Sequence, residues 1–288
     1  MSAASFAVST FLFHQSRLDR EHLVHIAAHG FGGLEIFALR SHFDYGDALA
    51  VARLAEWLDD TRLQLTAVHA PTADRLVDGA WSGNISIASA DAAVRAHSVA
   101  EIQQALNMAT VLPFRTLVLH IGMPAHVAAA SDNDASAARR SLDVIVPHAA
   151  AHGVQIALEV QTNVLSTPDA LVALIEDASD WPLAGICLDV GHARLLGDPV
   201  DAIEVASGHI MASHVHDTLG AHDDHLVPYD GSIDWTRALL AFQKVGYSGP
   251  WTFELAPAAS PVATLARAVQ ARRRFERCLG SNDELMSP

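Results

Sequence analysis

The feature that most constrains this chain is an eightfold alternation along its length, in which each short β-branched or apolar run is followed by a longer Ala/Leu-rich stretch of helical spacing. Strands are predicted at Phe6–Phe13, Gly33–Phe37, Leu63–Ala70, Thr116–Ile121, Gln155–Val160, Gly185–Val190, His209–His216 and Trp251–Leu255. Helices are predicted around Asp19–His29, Asp47–Asp59, Ala88–Val111, Ala135–His152, Pro168–Asp177, Pro199–Ser207, Trp235–Val245 and Val262–Cys278. Gly30, Gly153, Gly208 and Gly246 follow helical stretches as left-handed C-caps, and Thr167-Pro168-Asp169 sets a cap before a first-turn proline. Strand–helix units with right-handed crossovers build a parallel sheet, and eight of them close a barrel whose interior side chains can fill. The expected fold is a single (β/α)8 TIM barrel over residues 1–288, with no linker or low-complexity tract. An open doubly wound sheet is the alternative, but no Gly-x-Gly-x-x-Gly turn follows any strand.

Composition narrows the class of function. Half the residues are apolar, enough for a sizeable core and too many for a disordered chain. Cys187 and Cys278 cannot form a disulfide framework, which fits a reducing compartment, and a cytoplasmic location is expected. Met1–Phe13 has neither a cationic start nor a small-residue cleavage site, and no segment approaches the roughly 20 apolar residues of a membrane span. The net charge of -15 argues against a nucleic-acid partner, because such binding depends on cationic side chains. Small neutral or metal-chelated substrates are easier to accept.

Functional side chains of a barrel gather at the C-terminal ends of its strands. Here six consecutive strands end in His69, His120, Glu159, Asp189, His214 with His216, and Glu254, and His192 lies just beyond Asp189. Any one of these reads equally well as a hydrogen-bonded rim residue. Taken together they are restricted to the imidazole and carboxylate types that hold divalent metals, with a balance that suits Mn, Mg or Co better than a thiolate zinc site would.

These ends carry a resemblance. Leu158-Glu159, the run from Cys187 to Ala193, the run from Ser213 to Asp217, the run from Asp224 to Gly231, and Thr252-Phe253-Glu254 together resemble the xylose isomerase-like TIM-barrel superfamily, and within it the sugar phosphate isomerase/epimerase group. The resemblance implies one divalent ion (Mn2+, Mg2+, Co2+ or Zn2+) held by Glu159, Asp189, His214 and Glu254. The same superfamily contains apurinic-site endonucleases of the endonuclease-four type, which hold three zinc ions. The extra ligand positions of that type correspond here to His69, His120, His192, Asp223 and His225. Charge stands against that reading, since Arg272, Arg273, Arg274 and Arg277 fall in the last helix, away from the rim.

The implied reaction is proton transfer between neighbouring carbons of a sugar, keto sugar or cyclitol through an enediolate that the metal stabilises, with one of Glu159 and Glu254 as base and the other as acid, in either order. His192, His69, His120, His225, Glu35 and Trp81 are candidates to contact substrate, and for Glu35 a structural ion pair is the alternative. His216 and Asp217 are expected to support His214, and His14 could reach substrate from strand one. Trp235, Trp251 and Phe37 are further candidates for walls around the site, with core packing the alternative for Trp251, and the segment Pro71–Ala88 for a lid. Arg40 and Arg194 are the cations nearest the rim, and no Gly-rich phosphate turn is evident, which favours an unphosphorylated substrate. A metal-dependent lyase or dehydratase acting through the same enediolate, an apurinic-site endonuclease and a non-catalytic ligand-binding barrel are the competing readings. Association through helix faces is open to any barrel, so a homo-oligomer is compatible with the sequence.

Overall fold

The computed structural model describes residues 5–129, 131–178, 181 and 183–280. Residues 1–4 of the segment read for a leader and residues 281–288 of the expected domain lie outside the described residues. Eight parallel strands close in the order β1 (Phe6–Ser9), β10 (Trp251–Phe253), β9 (Ile210–Val215), β8 (Ala184–Asp189), β7 (Gln155–Glu159), β6 (Thr116–Leu119), β3 (Gln64–His69) and β2 (Gly33–Phe37). The predicted (β/α)8 barrel is the fold. Its outer layer contains α1 (Arg20–Ala28), α2 (Ala48–Thr61), α3 (Ala92–Asn107), α4 (Ala135–Ala151), α5 (Pro168–Asp177), α6 (Val190–Leu196), α7 (Pro199–Val205), α8 (Trp235–Lys244) and α9 (Pro261–Gly280). No described helix is long and apolar enough to cross a membrane.

The acidic excess has a local use. Asp19, Asp47, Asp91, Asp134, Asp189, Asp198 and Asp234 each accept a backbone N–H at the start of a helix, where the dipole favours negative charge. Thr167 does the same before Pro168. Gly30, Gly153, Gly208 and Gly246 all have positive φ, as their predicted capping role requires.

Two cores hold the layers together. The larger lies between strands and helices and includes Leu34, Leu54, Ile102, Leu142, Phe242 and Phe275. The smaller, inside the barrel, consists of Ala67, Val118, Ala157, Cys187 and Ala212. These interior residues are small where bulky ones usually fill a barrel, and a cavity of about 1100 Å3 opens at the N-terminal mouth, lined in part by Gly33, Ala67 and Ala212.

The elements differ from those predicted at three places. Strand one stops at Ser9, because Thr10–Phe13 winds into a 3-10 turn capped by the Ser9 hydroxyl. The expected lid segment contains an antiparallel hairpin of β4 (Ala73–Val77) and β5 (Ala80–Asn84). Asp78 and Gly79 turn it with φ of 50° and 78°, the two positive values that a type I′ turn demands. The hairpin is tied down where Leu76 N–H donates to Ser41 Oγ and where His97 Nε2 meets Asp74 Oδ1 at 2.7 Å. Helix α6, not among the predicted helices, is the third difference: it starts directly on β8, so His192 belongs to a helix capped by Asp189.

Candidate metal centre

Parallel register gathers the rim residues. Glu159 lies opposite Cys187, and Asp189 lies opposite His214, so consecutive strands deliver their carboxylates and imidazole at one level. Glu254 follows the end of β10, whose Thr252 is in register with His214. One ligand atom from each of Glu159, Asp189, His214 and Glu254 falls within 4.8 Å of the others, and all four side chains are buried. His214 Nδ1 stands 3.4 Å from Glu159 Oε1, 3.4 Å from Glu254 Oε2 and 3.8 Å from Asp189 Oδ2.

This donor set fits a divalent cation. Glu159 Oε1 and His214 Nδ1 are buried with no hydrogen bond, a costly arrangement for two polar atoms unless a cation lies between them. Three carboxylates converging with one imidazole is chemistry suited to Mn, Mg, Co or Zn.

Two further groups adjoin it. His69 and His120 each approach Glu159 Oε2 at 3.1 Å, and His69 joins Glu159 and His214 as a second set of metal-compatible donors. His192, His216, Asp223 and His225 form a third. Asp223 Oδ2 is 3.1 Å from His192 Nε2 and 3.3 Å from His225 Nε2.

The imidazoles are aimed by their other nitrogens. His69, His192 and His225 donate Nδ1–H to the backbone carbonyls of Ala70, Val160 and Glu254, turning Nε2 toward the acidic groups. His214 is reversed: its Nε2–H donates to Glu35 Oε2 at 3.0 Å, which leaves Nδ1 facing the cluster.

Electrostatics agree with a site built to hold positive charge. Burial by itself would lower the pKa of His69, but Glu159 outweighs it and carries His69 to about 9. His225 likewise reaches about 9 against burial, through Asp223. His192 is raised well above its ordinary value because Asp189 and Asp223 overcome desolvation. Burial would push Glu159 up, yet His120 and His214 hold it well below the usual carboxylate range. Buried His42, whose ring accompanies only the Ser16 carbonyl, falls to about 4. The contrast separates the site's imidazoles from a packing histidine.

Several expected residues are placed differently. Glu35 does not reach the rim; it is fully buried behind His214. His216 does not contact His214 as a supporting partner but bonds Asp189 at 3.1 Å and stacks on His225, ring centroids 4.0 Å apart. Asp217 stands outside the cluster, accepting the N–H groups of Thr218, Tyr229 and Ile233 and the Trp235 indole. Trp235 and Trp251 are therefore core residues. Phe37 does reach the site, 5.3 Å from the His69 ring. Trp81 is 46% exposed on the hairpin, stacked on His14, which in turn stacks on Phe11. Phe11 lies 4.9 Å from His225, so an aromatic wall runs from the His225 ring to the hairpin. Arg40 is spoken for by Glu101 and Asp44.

The model of the family described as xylose isomerase-like TIM barrel matches residues 23–275. An uncharacterised protein of Methanocaldococcus jannaschii, MJ1311, is 30% identical over 262 residues, 86% of this chain and 83% of that one. L-ribulose-5-phosphate 3-epimerase UlaE of Salmonella paratyphi A is 26% identical over 224 residues, 75% of this chain and 78% of its own. Among solved structures, a D-tagatose 3-epimerase-like protein superposes with a TM-score of 0.79 at 25% identity, covering 98% of this chain and 100% of that one. With the closed barrel and its converging strand ends, the match establishes that the chain belongs to the xylose isomerase-like TIM-barrel family.

Proposed function

We propose that this chain is a divalent-metal-dependent epimerase or isomerase of a sugar, keto sugar or cyclitol. The observation that carries the reading is the buried Glu159–Asp189–His214–Glu254 cluster, in which two glutamates from non-adjacent strands meet at one point. Bound there, a divalent ion would supply Lewis acidity to a carbonyl and its neighbouring hydroxyl. Glu254 is the freer base, because no described group hydrogen-bonds its carboxylate. Glu159 takes the part of acid from the other side, its Oε2 shared by His69 and His120, through which a proton can leave or return. His192 and His225, whose Nε2 atoms meet Asp223 Oδ2 in this structure, would take substrate hydroxyls by exchanging those contacts, and the Phe11, His14 and Trp81 wall excludes water from the reacting carbons.

The engagement of Arg40 by Glu101 and Asp44 supports an unphosphorylated substrate. The similarity to a D-tagatose 3-epimerase-like protein supports a free ketose among the candidates. A panel of free ketoses, inososes and keto-glycosides, incubated with Mn2+, Mg2+ or Co2+ and followed by NMR, tests the reading. Appearance of the epimer or isomer is the expected result. Release of water or an aglycone instead would move the assignment to a lyase using the same site.

A second reading, a zinc-dependent apurinic-site endonuclease, is favoured by the third group of donors, His192, His216, Asp223 and His225. The net charge of -15 weighs against it. Nicking of an abasic duplex by the zinc-loaded protein, with no turnover of sugars, would establish it over the first.

A further inference from the structure

We infer that Glu35, a residue of β2 on the far side of the barrel from β9, is the positioning residue that sets His214 as a metal donor. The inference rests on the proposed metal site, and it follows from how differently the site's histidines are held. Neutral backbone carbonyls fix His69, His192 and His225 through Nδ1–H. Only in His214, among these four, is the nitrogen turned away from the donor groups held by an ionisable side chain, and it is Nε2 rather than Nδ1. A carboxylate only accepts, so the 3.0 Å contact places a hydrogen on Nε2 and turns the Nδ1 lone-pair position toward Glu159, Asp189 and Glu254. Without Glu35 the ring could flip or change tautomer, and the cluster would lose its one nitrogen donor. An anionic partner also makes the far nitrogen a stronger donor than a carbonyl would.

The location of Glu35 is unusual for such a partner. Its side chain is fully buried, yet the residue lines the cavity at the N-terminal mouth, opposite the rim where substrate enters. Gly33, Ala67 and Ala212 leave that space beneath it. The second carboxylate oxygen, Oε1, has no hydrogen bond from protein. That oxygen is itself shielded from solvent, although the cavity opens on the other side of the residue. Glu35 thus separates the metal cluster from a solvent-connected space at the other end of the barrel, and the small residues under it leave room for a substituted side chain.

The test compares Glu35→Gln and Glu35→Leu with the unaltered protein, using Mn2+ competition against a chelator and NMR of 15N-labelled histidines in the metal-free chain. In the unaltered protein His214 Nε2–H is expected as a downfield, exchange-protected resonance. Glu35→Leu should lose that resonance and weaken Mn2+ binding about 10- to 100-fold. Glu35→Gln, which keeps an acceptor but not the charge, should fall between the two. Circular dichroism of both variants checks that the barrel stands. A folded Glu35→Leu protein that kept the Nε2–H resonance and the unaltered Mn2+ affinity would overturn the inference. If the unaltered protein took up no Mn2+, the proposed function would fall, and the resonance alone would decide the role of Glu35.

Discussion

Glu159 Oε1 and His214 Nδ1 face each other at 3.4 Å in the middle of the barrel rim, both buried and neither in a hydrogen bond. Two such atoms are held together at a cost that a shared cation removes. His214→Ala should therefore weaken Mn2+ binding by more than the roughly 100-fold expected for losing an outer partner. Calorimetric titration checks this. Unchanged affinity would mean that the four donors do not act together.

Proton and metal should compete here, with a definite sign. His69 and His225 are carried to about 9 in the metal-free fold, against 6.5 for the ordinary imidazole. Their charged forms stabilise the fold fully below pH 6.5, and that contribution is lost as pH rises through about 9. A divalent ion favours loss of the same protons, so its affinity rises over the window in which the metal-free fold weakens. Melting temperatures in EDTA should fall between these limits while the upshift caused by Mn2+ grows. Parallel trends with and without metal would contradict the coupling.

A glycine at the start of α6 makes room for the third donor group. A Cβ built on Gly191 would lie 2.0 Å from His216 Cε1, far inside contact distance. Gly191→Ala must move the His216 ring, and with it the stack on His225 and the bond to Asp189. The expected result is reduced turnover with modest loss of stability, about 1–3 kcal/mol as for other overpacked sites. Wild-type activity in this variant would show that His216 has no part in the reaction.

Trp81 tests the aromatic wall. Its ring is partly exposed and stacks on His14, 5.3 Å between centroids, so its removal should leave the fold intact. Trp81→Ala should raise KM several-fold with a smaller change in kcat, the pattern of lost uniform binding. An equal fall in kcat and kcat/KM would place the ring at the transition state instead.

Much of this was readable from the chain, for a physical reason. A barrel carries functional groups at strand ends, so the eightfold alternation points to His69, His120, Glu159, Asp189, His214 and Glu254 together, and the family resemblance singles out the four of them, Glu159, Asp189, His214 and Glu254, whose donors lie together here. Contacts that cross the barrel are another matter. Glu35 and His214 are 179 residues apart, and only closure of the sheet brings them together, so the sequence offered Glu35 as a rim contact or a structural ion pair without naming its partner. The hairpin did have a signal, the Asp78-Gly79 pair, but its strands are short and largely exposed and lack the alternation of a buried sheet. His216 fell on the expected strand, yet its partners, Asp189 and His225, depend on the loop that returns His225 over the rim in a left-handed backbone conformation.

The central claim is metal-dependent proton transfer at carbon between Glu159 and Glu254. Solvent-deuterium incorporation measures it most directly: substrate from the ketose and keto-glycoside panel is incubated in D2O with the protein loaded with Mn2+ or Co2+, with EDTA-treated protein and with Glu254→Gln. The account predicts deuterium at the carbon next to the carbonyl with the loaded protein, none after EDTA treatment, and roughly 10^2- to 10^4-fold slower exchange with Glu254→Gln. Exchange that survived EDTA, or equal rates for Glu254→Gln and the unaltered protein, would contradict it.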